Sequence, residues 1–250
     1  MTMKQYGLIG KPLSHSFSQR YFTEKFQREG LTDCSYSLWE IASIAELPDL
    51  LQRCPDISGF NVTAPYKEAI LSLLDHIDGE AAAIGAVNAV RVARFAGKPV
   101  LTGYNTDAAG FRQTLEERLM PSRALVLGTG GAGKAITHAL HTLGIATRQV
   151  SRVHTQTAIS YEEVDEALMH EHLFIVNCTP LGTAGPLENA LPPLPYQFLT
   201  PQHQLYDLVY NPATTPFLLE GRVHHCQTQN GLAMLYAQAE ISWKRFTNVF

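Results

Sequence analysis

Short apolar runs alternate along the chain with stretches of helical period, the pattern of an α/β protein. Residues 5–9 predict a strand, and Phe17, Tyr21, Phe22 and Phe26 then fall on one face of a helix that Gly30 ends. A second strand is expected at 57–62, where Thr63-Ala64-Pro65 turns the chain into a helix starting near Tyr66. Residues 100–104 predict another strand, followed by a helix over about 106–119. Past Pro121-Ser122 the texture changes. Residues 124–127 form a short, fully apolar strand of the kind buried on both faces of a parallel sheet. A glycine loop and a helix follow, with Leu143-Gly144 as its C-terminal cap. Further strands are expected at 145–150, 173–177, 204–207 and 223–227, an irregular proline-rich loop at 182–201, and a last helix at 231–246. The order implies an N-terminal α/β unit to about residue 105 and a Rossmann-like unit after it.

With 250 residues, both units can bury a core. The formal charge of −4 and the scattered Lys and Arg leave no basic stripe for nucleic acid or an anionic membrane surface. The richest apolar stretch, 81–93, is interrupted by Asn88 and Arg91, so no membrane span is expected. The first residues lack a secretory h-region, and a cytoplasmic location is expected. Cys34, Cys54, Cys178 and Cys226 form no CxxC pair, which argues against a disulfide frame or a metal site.

Gly128-Thr-Gly130-Gly131-Ala132-Gly133 matches G-x-G-x-x-G. Its value lies in its context, between an apolar strand and a helix. There Gly128 permits the tight turn, Gly130 the approach of a pyrophosphate, and Gly133 close helix–strand packing, while the helix N-terminus offers amides to phosphate. A P-loop is the rival pattern, but Ala135 stands where Mg²⁺ needs a hydroxyl. At the end of the next strand, where NAD enzymes carry an acid, this chain has Val150-Ser151-Arg152, and the first carboxylate beyond is Glu162. A guanidinium pairs with a 2′-phosphate, so NADP is the expected cofactor, held by Arg152 and by Arg148 beside it.

Hydride transfer between such a cofactor and a carbonyl or alcohol carbon also needs a proton carried at the oxygen. Lys67, just past the strand at 57–62, and Asp107, at a helix opening, are candidates by location. A lysine is ordinarily a solvated charge and an acid in a first helical turn can serve the dipole alone, so position leaves both readings open.

The wider context resembles the shikimate dehydrogenase family over nearly the whole chain. Gly10-Lys-Pro-Leu-Ser14-His15-Ser16 resembles its substrate loop, Gly59-Phe-Asn61-Val-Thr63-Ala-Pro-Tyr-Lys67 its G-x-N-V-T-x-P-x-K signature, and Gly85-Ala-Val-Asn88 its G-A-V-N element. Asn105-Thr-Asp107-Ala-Ala-Gly110, Asn177-Cys-Thr179-Pro-Leu-Gly182, Tyr206-Asp-Leu-Val-Tyr210-Asn-Pro212 and Gly231-Leu-Ala-Met-Leu-Tyr-Ala-Gln238 follow in family order. Ser151-Arg152-Val153 stands where the family has Asn-Arg-Thr, and Gln19 and Ala89 depart from its usual Pro and Thr.

The resemblance implies NADPH-dependent, reversible reduction of 3-dehydroshikimate to shikimate, a step toward chorismate and the aromatic amino acids. It implies Lys67 and Asp107 as the catalytic pair. Ser14 and Ser16 would hold the substrate carboxylate, and Asn61, Thr63, Asn88 and Gln238 the ring hydroxyls. Tyr210 would lie near substrate and nicotinamide. Gly128, Gly130, Gly131, Ala132, Gly133, Ser151, Arg152, Thr179 and Gly231 would line the cofactor. His15 is expected to be structural. The implied domains are a substrate-binding one over 1–105, completed by 230–250, and a Rossmann-like NADP-binding one over 106–229, the last helix returning to the first. Partners reduce to the small-molecule substrate, in a monomer or homodimer. The alternatives are an NAD-using quinate/shikimate dehydrogenase and a non-catalytic NADP-binding regulatory module.

Overall fold

The computed structural model describes residues 3–13, 17–115 and 120–248. The chain divides into two compact units, Met1–Thr106 with Ala239–Phe250, and Asp107–Gln238.

The first unit contains β1 (Lys4–Gly10), α1 (Ser18–Arg28), β2 (Cys34–Glu40), α2 (Leu47–Arg53), β3 (Ile57–Val62), β4 (His76–Ile77), α3 (Gly79–Ile84), β5 (Ala89–Phe95) and β6 (Lys98–Tyr104). Its sheet runs β2-β1-β3-β5-β6-β4. β1 is parallel to β2 and β3, whereas β5 is antiparallel to both β3 and β6. Because side chains alternate along a strand, the sheet serves two cores. Ile9, Phe60, Val62 and Val90 pack with Leu47, Leu50 and Leu51 of α2. Tyr6, Leu8 and Ala89 face the other way, onto Tyr21, Phe22 and Phe26 of α1 and onto Ala239 and Phe246. Burying a side chain as large as Phe60 contributes about 2–3 kcal/mol. The second core is an aromatic cluster: Phe22 stacks on Tyr36 with ring centres 4.4 Å apart, and Trp243 meets Tyr6 edge-on at 5.0 Å. The buried Lys25 ammonium reaches from α1 to Glu240 at 2.8 Å and to Glu29 at 2.7 Å, and the Tyr21 hydroxyl donates to Glu240.

The helix expected near Tyr66 is not formed; the segment holds only a 3₁₀ turn over Ala69–Leu73. The reason is local. The Lys67 carbonyl, which an α-helix would offer to Leu71, accepts from Val87 N at 2.8 Å, and Leu71 N turns instead to Glu68 O. Strands β2, β4 and β5 and the short helices α2 and α3 are additions to the elements read from the pattern.

The second unit contains α4 (Asp107–Leu115), β7 (Arg123–Leu127), α5 (Gly131–Thr142), β8 (Ala146–Ser151), β9 (Ala158–Ser160), α6 (Glu166–Glu171), β10 (Phe174–Asn177), β11 (Gln204–Asp207), α7 (Pro216–Val223), β12 (Gln227–Gln229) and the start of α8 (Leu232–Thr247), whose residues from Ala239 onward belong to the first unit. Residues 116–119 of the expected helix lie outside the described residues. All six strands are parallel, in the order β12-β11-β10-β7-β8-β9. The chain winds outward from β7 to β9, then restarts at β10 on the opposite side of β7. That reversal between β7 and β10 is the switch point of a doubly wound sheet, outside whose carboxyl ends ligands bind. One face buries Leu125, Leu127, Ile175 and Leu205 with Phe217 and Leu218 of α7; on the other, Phe111 of α4 packs against Phe174 and Tyr206.

The strand expected at 223–227 is corrected. Thr215 Oγ1 caps a helix by accepting from Leu218 N at 3.3 Å, Pro216 opens it, and it runs to Val223, an exposed residue. A left-handed His225 (φ 58°) turns the chain, and pairing begins only at Gln227. The apolar signal at 223–226 comes from the end of a helix and from the buried Cys226. Among the described residues no helix is long and apolar enough to cross a membrane.

Candidate active site

In the second unit the glycine loop joins β7 to α5 at the switch point. Gly128 takes φ +108°, a conformation that side chains rarely adopt. A Cβ on Gly133 would overlap the Gly128 carbonyl and lie 2.8 Å from its carbon, so helix and turn can meet only here. Gly130 differs: at φ −73° and ψ −175° a Cβ there would meet nothing within 4 Å. The space above it is open. No acid occupies the first turn of α5 and no N-cap side chain bonds its amides, which leaves the amides of Gly131, Ala132 and Gly133 and the helix dipole to a phosphate.

The neighbouring loop is built on a buried carboxylate. Asp207, fully buried at the end of β11, accepts from Asn177 Nδ2 at 2.9 Å, Val209 N at 3.0 Å and Thr215 Oγ1 at 2.5 Å. Asn177 Oδ1 in turn accepts from Thr179 N and Oγ1, at 3.0 and 2.6 Å. Thr179 is thereby fixed beside the glycine loop, where a Cβ on Gly128 would lie 3.3 Å from its methyl. Gly231 is required as well, since a Cβ there would overlap the Leu208 carbonyl; its N–H donates to Val209 O at 3.1 Å. Tyr210 is half-buried.

Burial raises the Asp207 pKa from 3.8 to about 6, against the opposing hydrogen bonds. A raised folded-state value means the protonated form is favoured by folding. The contribution is complete below the unfolded pKa and is lost as pH rises through about 6. The destabilisation caused by Asp207→Asn should therefore shrink as pH rises from about 4 to about 6, measured by urea unfolding across that range. A penalty independent of pH would contradict this account.

At the end of β8, Arg152 is exposed and Ser151 turns its hydroxyl to Val153 O. The Arg152 charge acts on Tyr161: burial first, and the Cys178 thiol second, push that phenol up to about 12, and Arg152 opposes the rise. Of the two acids on the next segment, Glu162 and Glu163, the second is committed elsewhere. Ser160 N donates to it at 2.7 Å and His154 Nδ1 lies 2.9 Å away, and these bonds hold its carboxyl down to about 2. With an open glycine loop, a bare helix N-terminus and a guanidinium in place of an acid, these residues fit a 2′-phosphorylated dinucleotide.

In the first unit β3 leads into the other candidates. Gly10 makes room for the Thr63 methyl, which a Cβ there would overlap. Thr63 is half-buried, its N–H donating to Ile9 O at 2.9 Å and its carbonyl accepting from Tyr66 N at 2.9 Å. That turn presents the half-buried Lys67. Asn61 and Asn88 are both buried. Asn61 Oδ1 accepts from the Tyr36 hydroxyl at 2.9 Å, and its Nδ2 donates to Asn88 O at 3.2 Å and to Ser242 Oγ at 2.9 Å. Asn88 Oδ1 accepts from Thr106 N at 2.7 Å and from Thr106 Oγ1 at 3.2 Å, and Asn88 Nδ2 lies 3.0 Å from the same hydroxyl. Ser14, His15 and Ser16 lie outside the described residues.

Asp107 opens α4 and is buried. Gln238 is half-buried on α8, its Nε2 donating to Leu235 O at 2.9 Å; α4 approaches it through Gly110, where a Cβ would come within 2.8 Å of Gln238 N. Among the described residues no group of three or more His, Cys, Asp or Glu could hold a metal ion. Tyr36, Thr106, Asp207 and Ser242 are missing from the residues singled out in the sequence. Asp207 and Thr106 both lay inside quoted motifs; Ser242 carried no signal.

A family model described as the shikimate dehydrogenase substrate binding domain matches residues 8–90. A protein of Carboxydothermus hydrogenoformans named shikimate dehydrogenase (NADP(+)) is 35% identical, across 98% of this chain and 92% of that relative. The crystal structure of shikimate 5-dehydrogenase from Thermus thermophilus in complex with NADP(H) and shikimate matches with a TM-score of 0.84 at 32% identity, over 99% of this chain and 95% of the other. Quinate dehydrogenase from Corynebacterium glutamicum in complex with NAD has the same TM-score, 0.84, at 26% identity, over 100% of this chain and 95% of the other. Fold similarity thus does not separate the two cofactors. The near-full-length identity is decisive for kinship: the chain belongs to the shikimate dehydrogenase family.

Proposed function

We propose that the protein is a cytoplasmic NADP-dependent shikimate dehydrogenase, interconverting 3-dehydroshikimate and shikimate on the route to chorismate. The observation that carries this reading is the extent of the likeness. It spans 98% of the chain and therefore both units, not the nucleotide-binding half alone. That also counts against a silent nucleotide-binding module, which has no need of Lys67, Asp107 and the Asn61-to-Lys67 turn together.

When bound, NADPH supplies a hydride to the ketone carbon, and the carbonyl oxygen takes a proton. Lys67 and Asp107 are assigned to that oxygen as the pair that moves the proton. Thr63, Asn88 and Gln238 bond the ring hydroxyls with neutral groups, which suits a polyol because each buried hydroxyl needs a partner. Ser14 and Ser16 receive the carboxylate. Gly128, Gly130, Gly131, Ala132 and Gly133 would hold the pyrophosphate, Arg152 the 2′-phosphate, and Ser151, Thr179, Tyr210 and Gly231 the remainder of the cofactor. The substrate-binding domain is assigned to 1–105 with 230–250 and the NADP-binding domain to 106–229.

The test is a panel of shikimate and quinate against NADP and NAD, followed by nicotinamide absorbance. Turnover of shikimate with NADP, and little with NAD, is expected. Arg152→Ala should raise the KM for NADP by about tenfold or more and leave that for NAD unchanged, since only the former loses a charge-assisted bond. Preference for NAD in the wild type would favour the quinate/shikimate alternative.

A further inference from the structure

We propose that Ser242, on the last helix, is a positioning residue that fixes the amide of Asn88 toward the substrate. This rests on the assignment of Asn88 to a ring hydroxyl. Ser242 is fully buried, and its hydroxyl lies 2.9 Å from Asn61 Nδ2 and 2.9 Å from Thr106 Oγ1. The proton order of this chain follows from its fixed donors. Asn61 Oδ1 takes the Tyr36 proton, so the other end of the amide donates, one N–H to Asn88 O and one to Ser242 Oγ. Ser242, already accepting there, directs its own proton to Thr106 Oγ1. Thr106 then donates to Asn88 Oδ1, the oxygen that Thr106 N–H also holds at 2.7 Å, and its second lone pair faces Asn88 Nδ2 at 3.0 Å.

Two consequences follow. Both Asn61 N–H groups are spent inside the protein, so Asn61 acts on the substrate through this chain rather than as a donor to a ring hydroxyl. The Asn88 amide is set with its oxygen inward on Thr106 and its nitrogen as the donating end. Reversing the amide would bring its N–H₂ against the Thr106 N–H, an arrangement with two donors and no acceptor. Ser242 supplies the proton that completes this setting. Thr106 also precedes Asp107, so the same chain anchors the residue before the proposed catalytic acid.

The experiment is steady-state kinetics on Ser242→Ala, Asn88→Ala and the double variant, with shikimate and NADP varied separately. Ser242→Ala should raise the KM for shikimate about tenfold, change kcat by less than about threefold, and leave the KM for NADP unchanged. In the Asn88→Ala background the same substitution should add no further loss, because its effect passes through that amide. Should Ser242→Ala fail to fold, Thr106→Val breaks the chain at the next link and should raise the same KM. An unchanged KM for shikimate, or a loss of equal size in both backgrounds, would overturn the proposal. A wild-type enzyme inert toward shikimate would instead remove the functional reading beneath it.

Discussion

Lys67→Ala is expected to lose about 10²–10⁴-fold in turnover, the usual contribution of a positioned proton-transfer group, while the protein folds as before. The second half of that expectation comes from how the residue is held. The turn carrying Lys67 is fixed through main-chain groups that alanine keeps: Thr63 N to Ile9 O, Tyr66 N to Thr63 O, and Val87 N to Lys67 O, at 2.9, 2.9 and 2.8 Å. Tyr66 is pinned independently by its hydroxyl, which donates to Ile41 O at 2.8 Å. The turn therefore survives the substitution, and circular dichroism and thermal unfolding should show a native-like, cooperatively folded protein. The loss should appear in kcat, with the KM for shikimate changing far less. Normal turnover would remove Lys67 from the chemistry.

The second large effect is expected at Gly130. Alanine fits its backbone, at φ −73° and ψ −175°, and its methyl would touch no protein atom within 4 Å. Stability without cofactor should therefore be nearly unchanged. The methyl occupies the open space over the loop where a pyrophosphate would lie against bare backbone, and loss of one amide–phosphate bond there should cost on the order of 10–10²-fold in NADP affinity. Gly133→Ala provides the contrast. Its methyl would overlap the Gly128 carbonyl, so that variant should lose both cofactor affinity and stability. Titration with NADPH and thermal unfolding of the two variants separate the cases. If Gly130→Ala binds NADPH as the wild type does, the phosphates do not lie over this loop.

The parts of this molecule that were readable in advance are those whose signals are local. The run Ala124–Leu127 of β7 is continuously apolar because both its faces are covered, and Gly133 marks a backbone clash that only glycine avoids. β2 escaped notice because it lies at the sheet edge, with half-exposed serines on either side of Tyr36. The stretch after Tyr66 looked helical until a bond from Val87, distant in sequence, claimed the Lys67 carbonyl. Site residues divide the same way. Lys67, Asp107 and the glycines stand in motifs of fixed spacing. Ser242 meets Asn61 across 181 positions and Thr106 across 136, and no periodicity or propensity encodes such a meeting. Asp207 is intermediate: it stands inside the motif from Tyr206 to Pro212, but its hold on Asn177 spans 30 positions and is visible only in the fold.

The path of α8 has a bearing on how the polypeptide is made. The second unit is one uninterrupted segment, Asp107–Gln238, whereas the first needs Ala239 and beyond to close its aromatic core, where Trp243 lies 5.0 Å from Tyr6 and 5.1 Å from Phe26. On the ribosome, where domains fold as units while synthesis proceeds, the portion translated first is thus the last to mature. Its exposed Tyr6, Phe22 and Phe26 wait through the translation of everything between. Dissecting the gene at residue 106 would yield a stranded half, and a self-standing version of that half calls for splicing 239–250 directly onto it.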